Sequence, residues 1–119
     1  MDDALLNLDV WRRSRKLAVK VYTSLRHCKD RGFMDQITRA AVSIPSNIAE
    51  GYERNSPRDF ANFLRIARGS CAELRTQLYI GEEIGLIDPG VAKNLQGEAL
   101  ELSKMPQGLI NRCKSRIQT

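Results

Sequence analysis

Aromatic residues make up only 6% of this 119-residue chain, and it holds one histidine, three cysteines and four prolines. With so few rings the core must be aliphatic, and no interleaving of aromatics with bases is available to read a nucleic-acid sequence by stacking. No apolar run approaches the ~20 residues that a membrane-spanning helix needs. The first ten residues, MDDALLNLDV, carry acids where a secretory signal carries bases, so the expected compartment is the cytoplasm. Cys28, Cys71 and Cys113 are odd in number and widely spaced at apolar helical positions. They read as reduced core residues, neither bridges nor metal ligands.

Catalytic groups are equally scarce. The chain lacks a glycine-rich phosphate loop, a constellation with metal-ligand spacing and a carboxylate pair with an evident cleft. His27 stands beside Cys28, but neighbours on a helix point about 100° apart, which is poor geometry for activating a thiol. Neither an enzyme nor a cofactor is expected.

What the chain has is charge and helical period. Lys and Arg number 19 against 14 Asp and Glu, a net charge of +5. Residues 9–31 hold eight bases (Arg12, Arg13, Arg15, Lys16, Lys20, Arg26, Lys29 and Arg31) against Asp9 and Asp30. From Lys104 onward come Lys104, Arg112, Lys114 and Arg116 with no acid. Both basic ends are expected to share a surface.

Four amphipathic segments can be read, at about 9–29, 34–54, 57–85 and 89–117, with no strand-like alternation between them. Asp9 is the expected N-cap of the first, and Val10, Leu17, Val21, Leu25 and Cys28 form its apolar stripe. Gly32 is expected to break the chain before the second. Asn55-Ser56-Pro57 marks the next boundary, since Ser56 can accept from first-turn amides and Pro57 suits the first helical position. Asp88 and Pro89 repeat that signal after a stop near Gly85. Pro45 must bend its helix or be supported, and Pro106 with Gly108 should kink the last one. Short connections and one apolar stripe per helix predict a single all-α domain, an antiparallel up-down-up-down four-helix bundle.

The second segment has an unusual outer face. Opposite the core stripe of Ile37, Ala41, Ile44 and Ile48 lie Arg39, Ser43, Ser46, Asn47, Glu50 and Arg54, short polar groups alternating with charges. In an antiparallel hairpin about Asn55–Ser56, residues whose numbers sum to about 112 share a height. Arg39 then faces Glu73, Ser43 faces Gly69 with Ser70 beside it, and Asn47 is level with Arg65. The expectation is a close contact at Gly69, bordered by an Arg39–Glu73 ion pair, such that Gly69→Leu disrupts fold or assembly. The plainer alternative is a solvated face with local pairs, Asp35 with Arg39 and Glu50 with Arg54. Ile66, Ile80 and Ile84 fall off the main stripe and suggest a second face that another copy would cover.

The strings RAAVSIPSNIAEGYER and SPRDFANFLRIARGSCAEL closely resemble the 23S rRNA intervening-sequence proteins, most strongly over Gln36–Leu74. That resemblance implies four antiparallel helices assembling as a ring-shaped homopentamer, with no enzymatic activity. It extends to the accessory protein of diversity-generating retroelements, a basic pentamer that binds nucleic acid and a reverse transcriptase. The positions matching the family signature are Arg39, Ser43, Asn47, Glu50, Gly51, Arg54, Gly69, Ser70 and Glu73. Two departures stand out: Arg26 and Lys29 replace a Pro and a Glu common in the first connection, and Pro106 enters a helix that is usually Leu-rich.

Two functions of different kind follow. A fivefold ring would raise the charge to about +25 and make weak phosphate contacts into salt-sensitive binding of RNA or DNA, or of the ribosome. The expected contacts are Arg12, Arg13, Arg15, Lys16 and Lys20, with Arg112, Lys114 and Arg116 as a second patch. Alternatively the ring is an adaptor for a protein partner that processes nucleic acid, with Trp11 as an apolar contact.

Overall fold

The computed structural model describes residues 3–118; Met1, Asp2 and Thr119, included in the single domain expected from sequence, lie outside the described residues. Helices α1 (Asp3–Leu6), α2 (Asp9–Ser24), α3 (Arg31–Glu53), α4 (Pro57–Glu83) and α5 (Pro89–Gln118) pack into an all-α bundle, without strands among the described residues. The four long helices alternate in direction. Ser43 of α3 meets Ser70 of α4, Cys71 meets Ala99 of α5, and Arg13 and Lys20 of α2 meet Met105 and Glu98 of α5, so each neighbouring pair runs antiparallel and α5 returns to close the ring on α2. The molecule measures 51 × 25 × 21 Å, with a radius of gyration of 15.0 Å. A chain of this length is typically near 13.5 Å when rounder, at about 2.2·N^0.38 Å.

The aliphatic interior follows the predicted stripes. Val10, Leu17 and Val21 of α2, Ile37, Ala41, Ile44 and Ile48 of α3, Leu64, Ala67, Cys71, Leu74 and Leu78 of α4, and Leu95, Ala99, Leu102 and Ile110 of α5 are all buried. Trp11, at 6% exposure, belongs to this core and cannot serve as an exposed contact for a partner. Cys71 and Cys113 are buried and Cys28 is half-buried, all three as free thiols. Burial pushes the Cys71 thiol up to about 11, against a smaller opposing influence of Arg75, and its Sγ donates to the Ala99 carbonyl at 3.1 Å. It is a core group, protonated near neutral pH.

Two of the four helix starts differ from the sequence expectation. Leu8, not Asp9, is the N-cap of α2; Asp9 is already helical and uses its carboxylate on Arg12 at 2.6 Å. At α3 the cap is Asp30, whose Oδ1 accepts from the Phe33 amide at 2.9 Å, so Arg31 and Gly32 lie inside the first turn and Gly32 breaks nothing. The other two starts match. Ser56 Oγ accepts from the Asp59 amide at 3.3 Å behind Pro57, and Asp88 Oδ2 accepts from Gly90 and Val91 at 3.0 and 3.2 Å. The connections turn through positive φ at Asn55 (56°) and Gly85 (78°), where Asn and Gly tolerate the left-handed region best. Helix α3 runs without interruption through Pro45, and α5 through Pro106 and Gly108. The short α1 was not foreseen; it seats Leu5, 1% exposed, on the core.

Candidate functional site

The basic residues of α2 project outward, as their spacing requires, and α5 lies along one side of them. Arg13 Nη1 approaches the Met105 Sδ at 3.6 Å, and Lys20 is ion-paired with Glu98. Along this α2/α5 seam run two shallow grooves. The first, of about 160 Å³, is walled by Arg13, Lys16, Lys20 and Glu98 over Leu17 and Leu102. The second, of about 380 Å³, continues past Asp9, Met105 and Gly108 to Arg112. Arg12 and Arg15 stand beside the row: Arg12 binds Asp9, and the Arg15 guanidinium sits 5.0 Å from the centre of the Trp11 ring.

The second predicted patch does not stay together. Arg112 joins the seam, Lys114 is exposed, and Arg116 borders a separate hollow at the α3–α4 turn with Asn55, Ser56 and Pro57. One turn of helix separates Arg112 from Arg116, enough to carry the latter around the bundle end.

The α3/α4 hairpin is lined differently. Ser43 Oγ and Ser70 Oγ share a hydrogen bond at 2.9 Å, and the Asn47 amide donates to the Ser43 carbonyl and hydroxyl at 2.8 and 2.9 Å. The small polar seam therefore exists, but with numbers summing to 113, and that single step changes who meets whom. Ser70, not Gly69, faces Ser43. Gly69 is exposed, and a side chain added there would meet nothing within 4 Å. Among the described residues Arg39 and Glu73 form no ion pair: Glu73 accepts from Gln77 at 3.4 Å, while Arg39 is turned by its helical angle into an open groove between α2 and α3 with Tyr22, Asp35 and Val42. Asn47 is not matched to Arg65, which donates to Asn62 at 3.1 Å.

The close approach belongs to Gly51. A Cβ built there would lie 2.5 Å from the Phe63 Cβ and 3.3 Å from Phe60, so only glycine lets α3 and α4 converge at this height. The signal was in the sequence, since Gly51 continues the buried series Ile44, Ile48 at helical spacing. Beside it the local pair of Arg54 with Glu50 is present at 3.2 Å, and the Arg54 guanidinium lies 5.0 Å from the Phe63 ring centre. Tyr52 and Phe60 complete the corner edge to face.

No group of three or more His, Cys, Asp or Glu among the described residues could hold a metal ion, and no described helix is long and apolar enough to cross a membrane. At the opposite end of the bundle Glu82 is held below the usual carboxylate range, first by its hydrogen bond from Lys93 and then by that from Gln96.

A family model for the 23S rRNA-intervening sequence protein matches residues 6–108, all but the last turns of the bundle. The chain belongs to that family. A solved structure of a protein of unknown function from the S23 ribosomal protein family of Bacteroides thetaiotaomicron superposes with a TM-score of 0.80 at 25% identity, covering 85% of this chain and 97% of the other. Among curated proteins none matches the chain. Within the intervening-sequence family frame, the signature residues divide by role. Ser43, Asn47, Gly51 and Ser70 hold α3 to α4, Glu50 and Arg54 brace that contact from outside, and Arg39, Gly69 and Glu73 remain on the surface.

Proposed function

We propose that this intervening-sequence family member is a non-enzymatic, basic, homo-oligomeric bundle of the cytoplasm that associates with nucleic acid or the ribosome through phosphate-backbone contacts. The observation that carries the reading is the gathering of Arg13, Lys16, Lys20 and Arg112, from opposite ends of the chain, along one seam. Such a row offers charge and geometry for phosphate but no reader of base edges, so binding is weakly sequence-selective and salt-dependent. Oligomerisation, as the homopentamer that the family resemblance implies, would repeat the row and raise affinity through multivalency. Isoleucines 66, 80 and 84 of α4, each about half exposed or more, are apolar surface suited to another copy.

The same apolar row favours a second reading, an oligomeric adaptor for a nucleic-acid-processing protein. One experiment separates them: light scattering for mass, followed by RNA and DNA binding over a salt series. Binding that weakens steeply as salt rises supports direct association. An assembly that holds neither nucleic acid at low salt, yet retains a defined protein partner, supports the adaptor and overturns direct binding.

A further inference from the structure

The α2/α5 seam is more than a collection of bases, because its acids are placed against its cations. Four cations and two acids line the two grooves, and both acids are engaged: Glu98 holds Lys20, and Asp9 holds Arg12 at 2.6 Å. Arg13 and Lys16, between them, face no acid across the groove; the nearest group from α5 is the Met105 thioether. Arg13, Lys16 and Lys20 follow one another at helical spacing on a single rigid helix, so their charges form a straight row about 10 Å long at 1.5 Å per residue. Neither groove is lined by Phe, Tyr or Trp. Bases have no platform to stack on there, which removes the main source of affinity for a flexible single strand. A duplex, by contrast, presents a row of phosphates already in order, so a rigid row of cations meets it with little further ordering.

We infer that this seam is a phosphate-backbone groove for double-stranded nucleic acid, damped from within by Glu98 and Asp9, which occupy its two flanking cations until phosphate displaces them. The inference rests on the nucleic-acid reading above and specifies its site, its substrate form and a built-in brake. The ion pairs suit such a brake because they are exposed: the side chains of Lys20 and Glu98 keep 51% and 33% of their surface in water. Pairs of that kind are weakly held and readily exchanged.

The test uses the full chain with a short duplex RNA and the same strand alone, titrated over a salt series. Glu98→Gln removes a charge at nearly constant shape and is expected to tighten duplex binding and steepen the dependence of log K on log salt by about 0.9 for each engaged protomer, one more phosphate contact. Arg13→Ala with Lys16→Ala is expected to flatten it by about twice that amount. Arg26→Ala with Lys29→Ala, at the other end of the bundle, leaves it unchanged. Salt-dependent duplex binding that ignores Glu98→Gln and survives loss of Arg13 and Lys16 would overturn the groove while leaving the polyanion reading intact. Tighter binding of the single strand would overturn the duplex assignment. Failure of wild type to bind either probe at low salt removes both the groove and the reading beneath it.

Discussion

The α3/α4 hairpin and the α2/α5 seam are both antiparallel helix pairs, yet one is sealed and the other furrowed. The difference lies in side-chain length. Gly51, Ser43 and Ser70 let α3 and α4 come together until hydroxyls bond directly and no Cβ fits at Gly51. Arg13, Lys16, Lys20 and Arg112 are too long and too charged to be buried between helices, so α2 and α5 meet over Leu17 and Leu102 and leave grooves above them. Short residues at a seam make structure, and long cationic ones at a seam leave a surface for an external anion.

Substitutions that move energy between the two seams test this contrast. The largest effect is expected from Gly51→Ala, because the new methyl must displace a Phe63 backbone-proximal carbon; about 1–3 kcal/mol of stability should be lost, read as a lower urea midpoint at constant slope. Ser43→Ala leaves Ser70 and Asn47 short of a partner and is expected to cost about 1–2 kcal/mol, with Ser43→Ala and Ser70→Ala non-additive in a double-mutant cycle. Gly69→Ala, with open space around it, should instead stabilise the folded chain by about 0.4–1 kcal/mol. If Gly69→Ala destabilised as much as Gly51→Ala, the assignment of the close contact would be wrong. Glu98→Gln in the furrowed seam is expected to change stability least, within the ~0–1 kcal/mol of an exposed ion pair, even though it is the variant expected to strengthen binding.

Much of this architecture is legible in the sequence because local chemistry and global pattern agree there. Ser56-Pro57 and Asp88-Pro89 fix two helix starts from four residues, and the aliphatic stripes fall where the period places them. The start of α3 is not legible in the same way. Asp30 and Gly32 both signal a boundary, and Gly32 is tolerated within the first turn once Asp30 holds the Phe33 amide. Likewise, a register misjudged by one residue exchanged Gly69 for Ser70 opposite Ser43, since side-chain direction turns about 100° per residue while height changes by only 1.5 Å. The seam itself could be anticipated only as charge at both ends of the chain. Which bases converge, and that Arg116 departs from Arg112, depends on how α5 returns beside α2.

A body 51 Å long and 25 Å wide experiences more friction than a sphere of its mass. A lone subunit should therefore elute from a sizing column ahead of globular standards, and elution volume by itself will overstate how many copies are joined. Side-by-side association of such rods has the opposite effect, since the width grows while the length does not. The frictional ratio in a sedimentation-velocity run thus falls as subunits gather, giving a readout of assembly that is independent of the mass.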